Sequence, residues 1–359
     1  MIIYISDTIK DCITSGSLSP TEIGALEDIA STVRSGDHLV LGDAQSLFAL
    51  TKFVKLGTSA RTAFKSVFVR VPQQESILEK VEVYVKIIPG DGIPSLSTIG
   101  NQKIICIPLT FCADMNFRTP LEIIFEEIND RYIYEIITEW YVSQALDVRT
   151  LNRKYRPIHG GGNRTYSVFE RTQSENNSFC LCITDSDKKF PTDDSGATST
   201  KVRESNDATK VLAHHLDLDF HEIENLVPLS FIADKSNSRH TDVMIAALKT
   251  AEQNGHQEAK LFYDYKKGLK YSLLHSCPDA RNYWGTALPA FAQSCTKGCP
   301  PETCKCDLLK PLQNRAEMRL HIEQLTPICP NECPILEALW KSIGSTLTSW
   351  SAAAPARLV

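Results

Sequence analysis

The chain has 359 residues, 42% of them hydrophobic and 23% charged, an ordinary balance for a globular protein with room for two domains or two plus an appendage. No apolar run approaches the ~18–20 residues that span a bilayer, and Met1-Ile2-Ile3-Tyr4-Ile5 lacks a basic leader, so a cytoplasmic protein with no membrane contact is expected. A net charge of −5 argues against coating nucleic acid by phosphate neutralisation alone, but not against an enzyme whose carboxylates are offset by bound cations.

Residues 1–117 read as an α/β domain of unknown role. Ser19-Pro20-Thr21-Glu22 opens a helix through Val33, capped by the serine or threonine. His38–Leu41 predicts a strand and Ala44–Phe53 a helix. Ser66–Val71, Val81–Ile88 and Lys103–Leu109 predict three further strands with Gly and Pro between them.

Residues 118–232 change rhythm to strands alternating with helices, which implies a parallel sheet covered on both faces. Leu121–Phe125 predicts a strand running into Glu126-Glu127-Ile128-Asn129-Asp130, then a helix from Arg131 to about Leu146. A strand ending at Ile158 leads to Gly160-Gly161-Gly162-Asn163-Arg164 and a helix over Thr165–Thr172. Phe179–Thr184 predicts a buried strand bounded by Asp185-Ser186-Asp187. After a polar loop come a helix over Ser199–Ala213, a strand at Leu216–Phe220, and His221-Glu222-Ile223-Glu224-Asn225. Ligands of such sheets gather at the carboxyl ends of the strands, where all these acidic groups fall.

Asp185 and Asp187 are two apart, so in extended backbone both carboxylates project to one side, a hard-oxygen pair suited to Mg²⁺ or Mn²⁺. The alternative is a plain turn. Glu222 and Glu224 are either further ligands or an exposed acidic turn. Gly160, Gly161 and Gly162 before a helix could let backbone N–H groups meet a phosphate, with Arg164 adding a charged contact, or could serve as a simple turn. No Walker A loop occurs. Lys188-Lys189 and Lys266-Lys267 are basic spots that could meet a nucleic-acid backbone or merely be solvated.

The order strand–Glu126-x-x-x-Asp130–helix, strand–Gly-rich turn–helix, strand–Asp185-x-Asp187 resembles the TOPRIM domain of topoisomerases, primases and overcoming-lysogenisation-defect nucleases. The resemblance covers residues 120–226, about a third of the chain. It departs at Glu127, where the family usually has Gly. It implies a Rossmann-like parallel sheet and a metal-dependent endonuclease acting on DNA or RNA. Glu126, Asp185 and Asp187 would hold one Mg²⁺, and Asp130 with Glu222 or Glu224 would help place a second, as in TOPRIM nucleases that use two metals. Lys188 or Arg164 would neutralise charge developing on the phosphoryl group. By the same analogy the setting is antiviral defence or toxin-like action. Nucleotide-driven control would need a regulatory or ATPase partner in trans, and a homo-oligomer stays open. The rival readings are a catalytically silent TOPRIM-like binding module and a phosphatase with Asp185 as nucleophile.

Residues 233–359 predict a mostly helical region, clearest over Asp242–Asn254 and Pro334–Trp350, with a frayed tail from Ser351. Seven of the twelve cysteines lie here, which reads as metal ligation before disulfides. Cys295, Cys299, Cys304 and Cys306 offer four thiolates for a structural Zn²⁺. Gly298, Pro300 and Pro301 fit a tight knuckle, and Cys277, His275 and His321 remain possible substitutes.

Overall fold

The structure, a computed structural model, describes residues 1–354 apart from 147–150, 237, 291–294, 296, 301–303 and 332, and only the backbone of 73–75 and 145. Pro301 and the tail from 355 therefore lie outside the described residues. The chain is mixed α/β with two parallel-rich sheets and a largely helical remainder.

The first sheet has β1 (Ile2–Ile5), β2 (Leu39–Gly42), β3 (Val83–Ile88), β4 (Ser95–Ile99) and β5 (Gln102–Pro108) in the order β2-β1-β3-β5-β4. All pairs are parallel except β4–β5. Its helices are α1 (Thr8–Ser15), α2 (Pro20–Ser35), α3 (Ala44–Lys52), α4 (Thr58–Phe68), α5 (Val71–Leu78) and α6 (Leu109–Cys112). The expected cap of α2 is a full capping box, with Ser19 and Glu22 exchanging backbone hydrogen bonds. The strand expected at Ser66–Val71 is instead the end of α4, a two-residue turn and the start of α5. Its β-branched residues suggested a strand, but Ala60, Ala63, Phe64 and Val67 recur at helical spacing and are all buried.

The second sheet has β6 (Leu121–Phe125), β8 (Tyr155–His159), β9 (Cys180–Thr184) and β10 (Ala213–Asp217), all parallel, in the order β10-β9-β6-β8. The short β7 (Asn152–Arg153) lies outside it. After β6 comes α7 (Arg131–Trp140), after β8 α8 (Thr165–Glu175), and after β9 α9 (Ala197–Ser205). Side chains alternate along the strands. Phe125 stacks on Tyr134 of α7 at 5.6 Å, whereas Ile124, Cys180 and Cys182 pack with Phe169 of α8 and Val202 of α9 on the opposite face. The loops leaving the neighbours β6 and β9 thus diverge to opposite faces, which opens a crevice between their carboxyl ends. The last strand sits at Ala213–Asp217, not Leu216–Phe220, because Leu218 and Phe220 are buried in the loop that follows. The helix expected from Ser199 stops at Ser205.

Beyond this sheet come α10 (Leu229–Lys235), α11 (Arg239–Gln253), β11 (Leu269–Lys270), α12 (Tyr271–Ser276), α13 (Pro278–Ala287), β12 (Asp307–Leu309), α14 (Arg315–Glu323), α15 (Pro334–Ser351) and β13 (Ala352–Ala353). The tail does not fray at Ser351: Ala352 and Ala353 are buried and pair antiparallel with β7. Helix α7 gives way to a π-helical turn over Tyr141–Leu146 where α15 crosses it. Gly344 makes that crossing possible, since a Cβ there would lie 2.4 Å from Tyr141 Cβ. Trp140 and Trp340 meet edge-on at 5.7 Å in the same interface.

Candidate functional site

Glu126 leaves the end of β6, and a 3₁₀ turn over Ile128–Asp130 carries Asp130 back under it, buried. Asp185 leaves the end of β9, beside β6. The loop after it is stapled to the segment after β10: the Ser186 hydroxyl donates to the Phe220 carbonyl, and the Asp187 N–H donates to the His221 carbonyl at 2.8 Å. The Ile223 N–H in turn donates to Asp185 Oδ1 at 3.0 Å. Asn225 locks the turn, its amide donating to the carbonyls of Lys260 at 2.6 Å and Tyr263 at 2.9 Å. Glu222 and Glu224 are therefore buried at 3% and 1% exposure, not an exposed acidic turn.

Five carboxylates thus face one another, and three cations answer them. Lys266 Nζ lies 2.8 Å from Glu222 and 3.6 Å from Glu224. Arg315 and Arg319 reach Glu224 Oε1 at 2.6 and 2.7 Å, and Arg319 stands 3.7 Å from Asp130. Burial works against ionisation of Glu224, but Lys266, Arg319 and Arg315 outweigh it and hold its pKa below the ordinary value. The others go the opposite way. Burial and then the charges of Asp130, Glu224 and Glu126 push Asp185 well above the carboxylate range. Burial and Glu224 raise Asp130 to about 7. Burial and Asp187 raise Glu126, and burial and Glu224 raise Glu222. Two negative charges in excess remain if all five ionise, the charge of one divalent ion.

Asp187 departs from the expected geometry. Its φ of 55° is left-handed, so the strand has ended and the alternation rule no longer places it beside Asp185. It is exposed at the rim, still near enough to raise Glu126, and lines a cleft of about 580 Å³ with Lys189, His221, Asp264 and Lys267. Gly196 packs directly on it: a Cβ there would meet Asp187 Oδ2 at 2.5 Å. In this cleft His221 Nδ1 faces the Lys188 carbonyl at 2.9 Å and Nε2 faces Asp264 at 3.3 Å. Burial opposes the imidazolium, but Asp264 outweighs it and raises the His221 pKa.

The glycine triplet is occupied internally. The Gly160 N–H donates to the Phe125 carbonyl at 2.7 Å, Gly161 to His159 Nδ1 at 2.8 Å, and Gly162 to the Glu126 carbonyl at 3.4 Å. A Cβ at Gly160 would lie 2.4 Å from Thr165 Oγ1 and 2.8 Å from the Phe125 carbonyl, so this glycine lets the strand meet the helix closely. Arg164 is exposed nearby. The Lys188 ammonium is paired with Asp219.

Among the described residues, two groups of three or more metal-ligating side chains have donor atoms within 4.8 Å of one another: Cys295, Cys299, Cys304 and Cys306, and His221, Glu222 and Asp264. The expected trio Glu126, Asp185 and Asp187 is not gathered this tightly. The four cysteines could hold a metal ion such as zinc. Cys277, Cys329, Cys333, His275 and His321 do not join them. The Lys297 N–H, ahead of the other contacts, lowers the Cys295 thiol to about 6.

Lys266, Arg315 and Arg319 are the residues that sequence reasoning missed. Arg315 and Arg319 are one helical turn apart on α14, a spacing that puts both on one face, but nothing local says that the face meets an acidic cluster. Lys266 read, with Lys267, as a basic spot for a nucleic-acid backbone or a solvated pair. The alternation Tyr263-x-Tyr265 beside it, both tyrosines fully buried, was the available sign that this loop enters the core. Among the described residues, no helix is long and apolar enough to cross a membrane. The chain matches no protein-family model, no curated protein and no solved structure.

Proposed function

We propose that the crevice between β6 and β9 is a divalent-metal site for hydrolysis of phosphodiester bonds in DNA or RNA, in a TOPRIM-like sheet. The observation that carries this reading is the gathering of Glu126, Asp130, Asp185, Glu222 and Glu224 at one strand-end crevice, with more negative charge than its three cations balance. The donor set suits a hard cation. Glu126 Oε2 is buried and, among the described residues, has no hydrogen-bond partner, as a ligand oxygen aimed at an ion would be. Glu126 and Asp185, with Asp187 at the rim, would hold Mg²⁺ or Mn²⁺. When bound, such an ion supplies an activated water and charge for the leaving oxygen. Tyr134, beneath the carboxylates, keeps its proton: burial and then Asp185 and Asp130 raise its pKa far above the ordinary value. Lys189 and Lys267, in the cleft that Asp187 lines, offer charge to the nucleic-acid backbone. An antiviral or toxin-like setting is part of the same proposal.

One observation favours a second reading, a catalytically silent scaffold that binds a partner. Lys266, Arg315 and Arg319 already occupy Glu222 and Glu224, so the ligands expected for a second ion are spent on internal cations.

Incubating the protein with a DNA and RNA panel in Mg²⁺ or Mn²⁺ tests this, alongside Glu126→Gln and Asp185→Asn. Loss on the order of 10²–10³-fold in both variants, with circular dichroism unchanged, supports the metal-site reading. Cleavage intact in both variants places the chemistry elsewhere. Metal-independent nucleic-acid or partner binding without cleavage favours the scaffold.

A further inference from the structure

All three cations of the acidic cluster sit on two segments that are zipped to each other next to the four cysteines. Lys266 lies between Tyr263 and Tyr271, and Arg315 and Arg319 lie on α14, the helix that follows β12. Between these segments the Tyr271 N–H donates to the Cys306 carbonyl at 3.1 Å, and the Leu312 N–H donates to the Tyr265 carbonyl at 3.0 Å. The Tyr263 hydroxyl donates to the Lys310 carbonyl, and Lys270 pairs with Asp307. Gly268 lets the strands touch, since a Cβ there would lie 2.5 Å from the Leu309 carbonyl. The ladder itself is only β11 against β12, two and three residues long with a register irregularity. So short a ribbon is marginal alone. Something must fix its register.

The four cysteines stand where that anchor is needed. Cys306 directly precedes β12, and the four Sγ atoms lie within 4.8 Å of one another. Cys299 Sγ and Cys306 Sγ are 3.8 Å apart, too far for a disulfide. That separation equals the edge, about 3.8 Å, of a tetrahedron with ~2.3 Å metal–sulfur bonds.

We infer that a tetrahedral thiolate-bound ion of the Zn²⁺ class at Cys295, Cys299, Cys304 and Cys306 is a clasp that fixes residues 263–271 against 306–312, and so sets Lys266, Arg315 and Arg319 against the acidic cluster. The four cysteines are positioning residues with respect to these three cations. The inference holds whether or not the acidic cluster cuts phosphodiesters, because its readouts are metal content and local exposure.

The test uses the full chain as purified. Elemental analysis gives the metal per chain, and replacement with Co²⁺ reports tetrahedral thiolate ligation through its visible bands. Hydrogen exchange and amine labelling of Lys266 are then followed by mass spectrometry before and after stripping with a mercurial and chelator, and after Zn²⁺ is restored. One ion per chain is expected, absent from Cys304→Ser/Cys306→Ser. Stripping is expected to raise exchange in 263–271 and labelling of Lys266 by about tenfold or more through local opening, reversed by Zn²⁺, with Val83–Ile88 unchanged. Because stripping uses the wild-type chain, a misfolded variant does not spoil the experiment. A chain that neither carries nor takes up the ion overturns the proposal. So does loss of the ion with Lys266 still protected, or equal loosening of the first sheet.

Discussion

Lys266 Nζ stands 2.8 Å from Glu222 Oε2, and the same ammonium opposes the rise in pKa of Glu126, Asp130 and Asp185 and helps hold Glu224 low. One side chain thus serves five carboxylates. Its own ionisation is opposed by burial, but Glu224 and Glu222 outweigh that and hold its pKa above the ordinary lysine value.

Lys266→Met should therefore destabilise the protein at pH 8, by about 1–3 kcal/mol. That is less than the loss for a fully buried pair, because the ammonium is about one-third exposed and partly screened. Adding Glu222→Gln should recover part of the loss, since it removes a charge left without its partner. Urea denaturation of wild type, single and double variants checks this; a single variant as stable as wild type would mean that the cluster does not need its central cation.

Gly160→Ala should destabilise by roughly 1–3 kcal/mol, the range for forcing a methyl into a full site. The added Cβ would meet Thr165 and the Phe125 carbonyl, and relief by moving the loop would break the Gly162 hydrogen bond to the backbone of Glu126. Gly24→Ala is the control, since a Cβ there meets nothing within 4 Å and alanine favours the helix. Paired thermal melts should show a fall for the first and none for the second.

Two histidines contribute stability that is lost as pH falls below about 6.5. Burial lowers His38, packed against Phe117 and Phe179, well below its usual value. Burial and then Lys103 lower His214 to about 4. Each is neutral when folded, while the unfolded chain takes up a proton near pH 6.5. At these two positions the unfolded state binds more protons, so their contribution to stability falls as pH drops through this window, by up to about 1.4 kcal/mol per pH unit per group, while the raised carboxylates Asp130 and Asp185 contribute in the opposite sense. His38→Leu should make the slope of unfolding free energy against pH less positive between pH 5 and 6.5 than in the wild type; an unchanged slope would mean that His38 does not contribute.

The two central strands of the second sheet were legible because they are short, largely apolar runs ended by acids. β6 and β9 are buried along their whole length and read as apolar runs interrupted only by Glu122 and Thr184. β10 did not, because Ala213–Asp217 is only partly buried and holds two histidines, while the apolar Leu218 and Phe220 belong to the loop. The acids of the crevice were visible from strand ends. Their partners were not: Arg315 and Arg319 come from a distant helix, and local pattern carries no information about which charge a helix face will meet. Nor could spacing foresee that Asp187 turns to a left-handed conformation, which parts the two aspartates that an extended backbone would align.

Helix α15 has a consequence for how the protein is made. Its Ser349 hydroxyl accepts from the Glu82 N–H beside β3 at 3.0 Å, and Trp350 stacks on His214 of β10 at 5.8 Å. Its Trp340 indole donates to the Leu226 carbonyl at 2.9 Å. One late segment thus closes the packing of both sheets. During synthesis each sheet can form its strands early, yet both keep apolar surface uncovered until residues 334–351 leave the ribosome. Nascent chains stalled before that point should hold chaperones at both sheets at once, and release them together when the helix docks.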